Sequence, residues 1–213
     1  MAEYKAPDDI YPGTLVIISS PSGAGKTTIT KRLLEEYQDM KLSVSVTTRK
    51  MRDGEVDGKD YFFVEKEEYD ELVKDKELLE YAEVFGNHYG TPKQFVLDNI
   101  RKGTNVIFDI DWQGAREIAK HKEFHTVTIF ILPPSIAALK ERLEKRGLDS
   151  DEIIQKRMTQ AKSEISHYEE YKYVILNDDV EDAVTRIKRL IDYYSLRNVR
   201  PRNYRGFVEK ELT

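Results

Sequence analysis

The chain has 213 residues, 39% of them hydrophobic and 34% charged, with a formal net charge of −5; at about 100–200 residues per domain this is one domain with room for an insertion, and its mixed charge signs read as solvated helix faces rather than disorder. The lack of cysteine excludes a disulfide framework, a thiolate zinc site and a cysteine nucleophile. No apolar run approaches the roughly 18 residues of a membrane span, and MAEYKAPDDIYPG lacks the apolar core of a secretory signal, so a cytoplasmic, soluble protein is the expectation.

The first predicted strand is Thr14–Ser19 (TLVIIS), followed by a helix with Ile29, Leu33, Leu34 and Tyr37 on one stripe. From Leu42 to Lys102 the order is strand (LSVSV), polar loop, strand (DYFFV) and a short helix joining Tyr69, Leu72 and Val73. A Tyr- and Gly-rich run (EYAEVFGNHYG) comes next, then a helix opening at Pro92. Strands Asn105–Ile110 and Thr126–Leu132 follow, then helices capped by Ser135 and Ser150, the second running to about Tyr171. Strand Lys172–Leu176 and a helix with Ala183, Ile187, Leu190, Ile191 and Tyr194 on one face complete the pattern. Short, near-continuous Val/Ile runs are the mark of a parallel sheet covered on both faces. The fold class is α/β: a parallel sheet flanked by helices, carrying a small, mostly antiparallel insertion.

Two basic regions stand out. Lys140–Lys162 holds seven basic residues around RGLDSDE, and Arg186–Arg205 holds seven against one acid, Asp192. The second would suit nucleic acid or another subunit, but a basic helix end complementing its own dipole is the favoured reading.

Chemistry enters after the first strand, with Ser20-Pro21-Ser22-Gly23-Ala24-Gly25-Lys26-Thr27 and then a helix. This is a phosphate-binding loop, with backbone N–H groups turned around an anion, Lys26 reaching the β and γ phosphates and Thr27 offering a hydroxyl to Mg²⁺. Ser20 replaces the usual first glycine, yet the strand before and the helix after keep the match. Such a loop needs a carboxylate near the metal. Asp109 and Asp111 alternate onto one face at the carboxyl end of their strand, where ligands sit in open α/β sheets. Either acid also reads as the cap of a following helix.

The acceptor is indicated by the insertion. Arg49 and Arg52, three apart in a loop with Tyr61 downstream, suit a phosphate dianion. Glu80 and Tyr89 belong to the second aromatic segment. Guanine offers adjacent N1–H and N2–H₂ donors that one carboxylate accepts together, a pair adenine lacks. Each residue has a plainer reading as well. Arg52 suits a solvated turn, Tyr61 a core position, and Glu80 the surface of a helical stretch (KELLEYAEV). Arg142 suits a pair with a glutamate on its own helix, and Thr91 before Pro92 a helix cap.

Taken in order, SPSGAGKTT, SVTTRxxRxGExxGxDY, EYAEVFGNHYGT, FDIDWQG and RGxDSxExIxxR resemble guanylate kinase of the bacterial type, from about Thr14 to Arg197. The resemblance implies a P-loop NTPase-type core (1–41, 103–138 and 164–213), a GMP-binding insertion of mixed α/β structure (42–102) and a helical lid (139–163). It implies reversible transfer of the ATP γ-phosphoryl group to GMP, giving ADP and GDP, within purine nucleotide metabolism. By motif position, Ser20 to Thr28 (with Pro21, Ser22, Gly23, Ala24, Gly25, Lys26 and Thr27) would hold ATP, with Asn177 near the adenine. Arg49, Arg52, Tyr61 and Tyr89 would hold the GMP phosphate. Ser45, Glu80 and Asp111 would read the guanine, and Thr91 stands where the family often has Ser or Thr. Thr27 and Asp109 would serve the Mg²⁺ that accompanies ATP, while Arg142, Arg146 and Arg157 would close over the transferring group beside Lys26 and Arg49. No nucleic acid or membrane partner is implied; dGMP acceptance, oligomeric state and the role of residues 198–213 stay open. A peptide-binding scaffold of the same fold is disfavoured by the intact Gly25-Lys26-Thr27. A kinase with another acceptor is disfavoured by Ser45, Glu80 and Asp111 together.

Overall fold

The computed structural model describes residues 13–84, 86–146 and 151–197. In chain order, β1 (Leu15–Ser19) leads through the phosphate loop into α1 (Lys26–Glu36) and β2 (Met40–Leu42). The insertion contributes β3 (Val46–Thr47), β4 (Phe62–Phe63), α2 (Lys66–Lys74), β5 (Leu78–Val84) and β6 (Asn87–Pro92), and α3 (Lys93–Arg101) leads out of it. Then come β7 (Asn105–Asp109), α4 (Trp112–Ile118), β8 (Thr126–Leu132), α5 (Ile136–Arg146) and α6 (Asp151–Ile165). A 3-10 turn at Tyr168–Glu170, β9 (Tyr173–Leu176) and α7 (Val180–Arg197) complete the described chain.

The core sheet has the order β2-β7-β1-β8-β9, and every pairing in it is parallel. β1 shows why its sequence is apolar without alternation. Val16 and Ile18 pack with Ile29, Leu33, Ile187 and Ile191 of α1 and α7 on one face. Leu15 and Ile17 pack with Phe108, Ile118 and Phe130 on the other. A strand buried on both faces has no solvent side to mark with polar residues. α7 closes the first face over α1: Tyr37 donates to Asp192 Oδ1 at 2.7 Å, Arg32 pairs with Glu181 at 2.9 Å, and Lys188 pairs with Glu36. Arg186 pairs with Asp182 along its own helix, so part of the basic run is neutralised within the fold.

The insertion forms a second sheet, β4-β3-β6-β5. β3–β6 and β5–β6 are antiparallel and β3–β4 is parallel, over a small core of Val46, Tyr69 and Leu78. Four local expectations are corrected. LSVSV is not one strand: Leu42 ends β2 in the core sheet, Val46 opens β3 in the insertion, and the chain changes sheets between them. KELLEYAEV, read as helical from its Glu, Leu and Ala, is strand β5, because pairing with β6 outweighs a weak local preference. Thr91 does not cap α3, whose cap is Pro92. The helix expected to run to Tyr171 stops at Ile165; its Ser150 cap lies outside the described residues. α3 packs Val96 and Ile100 into the cluster around Phe108, so the last element of the 42–102 segment rests on the core sheet.

Candidate active site

At the carboxyl end of β1 the chain turns through Gly23 and Gly25, both at positive φ (89° and 100°), before α1 begins. Gly25 is the helix cap and takes a left-handed conformation that a side chain would strain. A Cβ there would also stand 2.4 Å from Asn177 Nδ2, since Asn177 reaches in to donate to the Ala24 carbonyl at 2.6 Å. The loop is therefore held from β9's end of the sheet. Asn177 is 1% exposed, and its Oδ1 has no hydrogen-bond partner among the described residues.

Lys26 meets Asp109 Oδ1 at 2.5 Å, with 20% of its side chain exposed, and donates to the Ile110 carbonyl at 3.3 Å. Burial works against the ammonium's charge, but the Asp109 carboxylate outweighs it and raises the Lys26 pKa above its ordinary value. These groups open onto a cavity of about 930 Å³. The phosphate loop forms one wall and the insertion the opposite one, with Ser45, Arg49, Arg52, Tyr61, Glu80 and Tyr89 on its surface.

Arg49 is oriented by Glu55, which accepts from its Nη2 at 2.7 Å and from the Arg52 backbone N–H at 2.8 Å. Its guanidinium lies 5.2 Å from the Tyr61 ring centre, and Tyr61 meets Tyr89 edge-on at 5.9 Å. This makes a cationic, hydroxyl-bearing corner suited to a phosphate dianion. Glu55 was absent from the sequence-derived site. In an irregular loop, an acid six residues from an arginine has no periodicity to signal the pairing.

Glu80 is 4% exposed. Burial pushes its carboxyl up to about 7; the Thr91 hydroxyl bond opposes this, and Asp111 and Glu117 add to it. Thr91, fully buried, donates to Glu80 Oε1 at 2.7 Å; it stands behind the carboxylate rather than on the cavity wall. Asp111 caps α4, accepting from the N–H groups of Gln113 and Gly114, each at 3.1 Å. The helix-cap reading and the cavity-lining one therefore hold together for Asp111.

α5 and α6 line a further side of the cavity. Arg142 donates to the carbonyls of Ala24 and Asn177 at 3.4 and 3.1 Å, not to a glutamate of its own helix. Arg157 lines the cavity from α6. Arg146 ends α5, and its side chain lies outside the described residues. Glu164, unassigned from sequence, accepts from the Ser22 N–H at 3.3 Å, and burial raises its carboxyl against that bond and the pull of Lys26. Trp112 stacks on His167 at 3.7 Å, away from this chemistry.

Among the described residues no group of three or more His, Asp or Glu is placed to hold a metal alone. The Thr27 hydroxyl and Asp109 are hard oxygen donors beside the loop. Such a sparse set fits Mg²⁺, which takes one or two protein oxygens and fills the rest with phosphates and water.

A parallel sheet with a phosphate loop at its central strand, facing an arginine- and carboxylate-lined insertion across one cavity, defines a nucleotide kinase of the phosphate-loop class. The guanylate kinase family model matches residues 12–194. A guanylate kinase of Maricaulis maris is 50% identical over 92% of this chain and 90% of its own, and one of Vibrio vulnificus is 54% identical over 84% and 87%. The crystal structure of guanylate kinase from Anaplasma phagocytophilum superposes with a TM-score of 0.75 at 39% identity, over 95% of this chain and 96% of that one. The chain belongs to the guanylate kinase family.

Proposed function

We propose that this protein, a transferase and kinase by family, passes the γ-phosphoryl group of ATP to GMP across the cavity between the phosphate loop and the insertion. The observation that carries this reading is one cavity lined both by Lys26 in its loop and by Glu80, Asp111, Arg49 and Tyr89. An oxygen of the GMP phosphate attacks the γ-phosphorus in line; the new P–O bond forms as the bond to the β-phosphate oxygen breaks, and ADP leaves. The transition state is loose, so the protein's task is positioning and charge neutralisation rather than covalent chemistry. Arg49, Arg52, Tyr61 and Tyr89 fix the acceptor phosphate. Glu80, Asp111 and Ser45 hold the base, with Thr91 steadying Glu80. Lys26 leaves Asp109 for the ATP phosphates, and Arg142 and Arg157 neutralise charge on the transferred group, as Arg146 does by motif position.

Thr27 and Asp109 are the residues that would hold Mg²⁺ and its waters; bound with ATP, the ion supplies neutralisation of β and γ charge. The core, the 42–102 insertion and the 139–163 lid are the assigned divisions; β3 to β6 of the insertion and the lid move against the core, to which Leu42 and α3 belong by packing, and their closure excludes water before transfer. No described helix is long and apolar enough to cross a membrane, and the reaction is assigned to the cytoplasm.

The test is ADP release with ATP·Mg²⁺ and GMP, dGMP, AMP, CMP or UMP. Release should depend on the guanine nucleotide and vanish in Lys26→Ala. Equal release with every acceptor, or none with any, overturns the reading.

A further inference from the structure

Gly114 touches both carboxylates assigned to the base. Its N–H donates to Asp111 Oδ1 at 3.1 Å. A Cβ built on it would lie 2.7 Å from Glu80 Oε2 and 3.2 Å from Glu80 Cδ. Real Cβ contacts essentially never fall below 3.0 Å, so Glu80 occupies space that exists only because residue 114 has no side chain.

Glu80 has little freedom to retreat. Its Oε1 is tied to the Thr91 hydroxyl at 2.7 Å, and Thr91 is itself fully buried. Gln113, next in line, donates its amide to both Asp111 Oδ2 and the Glu83 carbonyl, each at 3.1 Å. The start of α4 is thereby stitched to β5, the strand that carries Glu80. The open direction for a displaced Glu80 carboxylate is the cavity it lines.

We infer that Gly114 is a specificity-positioning residue: its bare α-carbon seats Glu80 while its N–H orients Asp111, setting the spacing of the two acids that receive the base. The inference rests on the assignment of Glu80 and Asp111 as guanine readers. It explains why a helix as short as α4 carries glycine, a poor helix former, at a buried position. A methyl group at 114 pushes the Glu80 carboxylate toward the base plane and breaks the match to adjacent N1–H and N2–H₂ donors. ATP, bound at the far wall, is untouched.

Gly114→Ala tests this, because alanine is the better helix former and loss of fold is not the expected result. We expect KM for GMP to rise about tenfold, the scale of one good bidentate contact, with KM for ATP within about twofold of the parent and the thermal midpoint not lowered. The preference for GMP over IMP, which lacks the 2-amino group, should narrow. In a Glu80→Ala background the same substitution should cost nothing more, since both changes act on one carboxylate. An unchanged KM for GMP, a rise shared equally by ATP, or full additivity with Glu80→Ala would overturn the inference. Glu80→Ala alone separates the two layers. If it leaves KM for GMP unchanged, the guanine-reading assignment itself fails; if it raises KM while Gly114→Ala is silent, only the role of Gly114 fails.

Discussion

Glu80 is a carboxylic acid buried at the cavity wall, and its charge matters to the proposed reading of the base. Burial raises its carboxyl to about 7, with Asp111 and Glu117 adding and Thr91 opposing. Only the ionised form accepts both guanine donors. We therefore expect kcat/KM for GMP to climb as pH rises through the region of 7, and Glu80→Gln to flatten that limb while lowering the plateau. The stability consequence runs the other way. A carboxyl whose folded pKa lies above its unfolded value binds an extra proton in the native state across the interval between them. That contribution is complete below the unfolded value, near 4.5, and is lost as pH rises to about 7. Thermal midpoints of the ligand-free parent and Glu80→Gln, compared at both ends of that window, check the sign. Glu55 is the opposite case: burial alone would raise it, but the Arg49 and Arg52 bonds win and hold it below the ordinary value. Glu55→Gln should leave Arg49 less fixed and raise KM for GMP by about three- to tenfold, in line with a weakened charge-assisted bond. An unchanged KM would show that Arg49 is positioned by its aromatic neighbours instead.

The elements of the core sheet are set by burial on two faces, and the loops at their carboxyl ends inherit their rigidity from it. Phe108 on β7 is fully buried one residue before Asp109, so Phe108→Ala should cost about 3–5 kcal/mol in denaturant unfolding. A loss under about 1 kcal/mol would mean the cluster collapses around the void. The phosphate loop is sensitive for a different reason. Gly25→Ala must accept a φ of 100° and a 2.4 Å approach to Asn177. It should lower kcat/KM for ATP by about a hundredfold, which corresponds to about 2.7 kcal/mol of misplacement. Asn177→Ala, which removes the obstacle and the latch together, separates strain from anchoring. β5 illustrates how an element escapes local reading. Leu78, Leu79 and Glu80 are buried in succession beside an irregularity in the pairing with β6, so neither a two-residue nor a helical period is visible.

At the scale of the whole molecule, the cavity exists because three parts of the chain surround it, and residues from α1, the insertion and α6 line it together. Arg142 is docked on the loop carbonyl of Ala24 and Lys26 on Asp109. In the proposed reaction, substrate phosphates would recruit both. Hydrogen exchange should therefore slow in the insertion and α6 most strongly when both substrate sites are filled, with an unreactive ATP analogue and GMP, and less with either alone. Equal protection by one ligand would argue against coupled closure. The thermal midpoint should rise in parallel, by the equivalent of about 2.7 kcal/mol for a ligand at a hundred times its Kd.

Short-range patterns were enough for the parallel sheet and the phosphate loop, through Val/Ile runs and a Gly-Lys-Thr turn before a helix, while the family resemblance rested on the order of the motifs along the chain. The sequence also marked Arg49, Tyr61, Glu80, Tyr89 and Asp111, all of which line the cavity. What it did not contain were relations between distant segments. Thr91 behind Glu80, Asn177 on the loop, Glu164 at Ser22 and Gly114 against Glu80 join residues that become neighbours only when the chain folds, and Glu55 on Arg49 depends on the path of an irregular loop. A side chain's type is a property of the sequence; which carboxylate it must leave room for is a property of the fold.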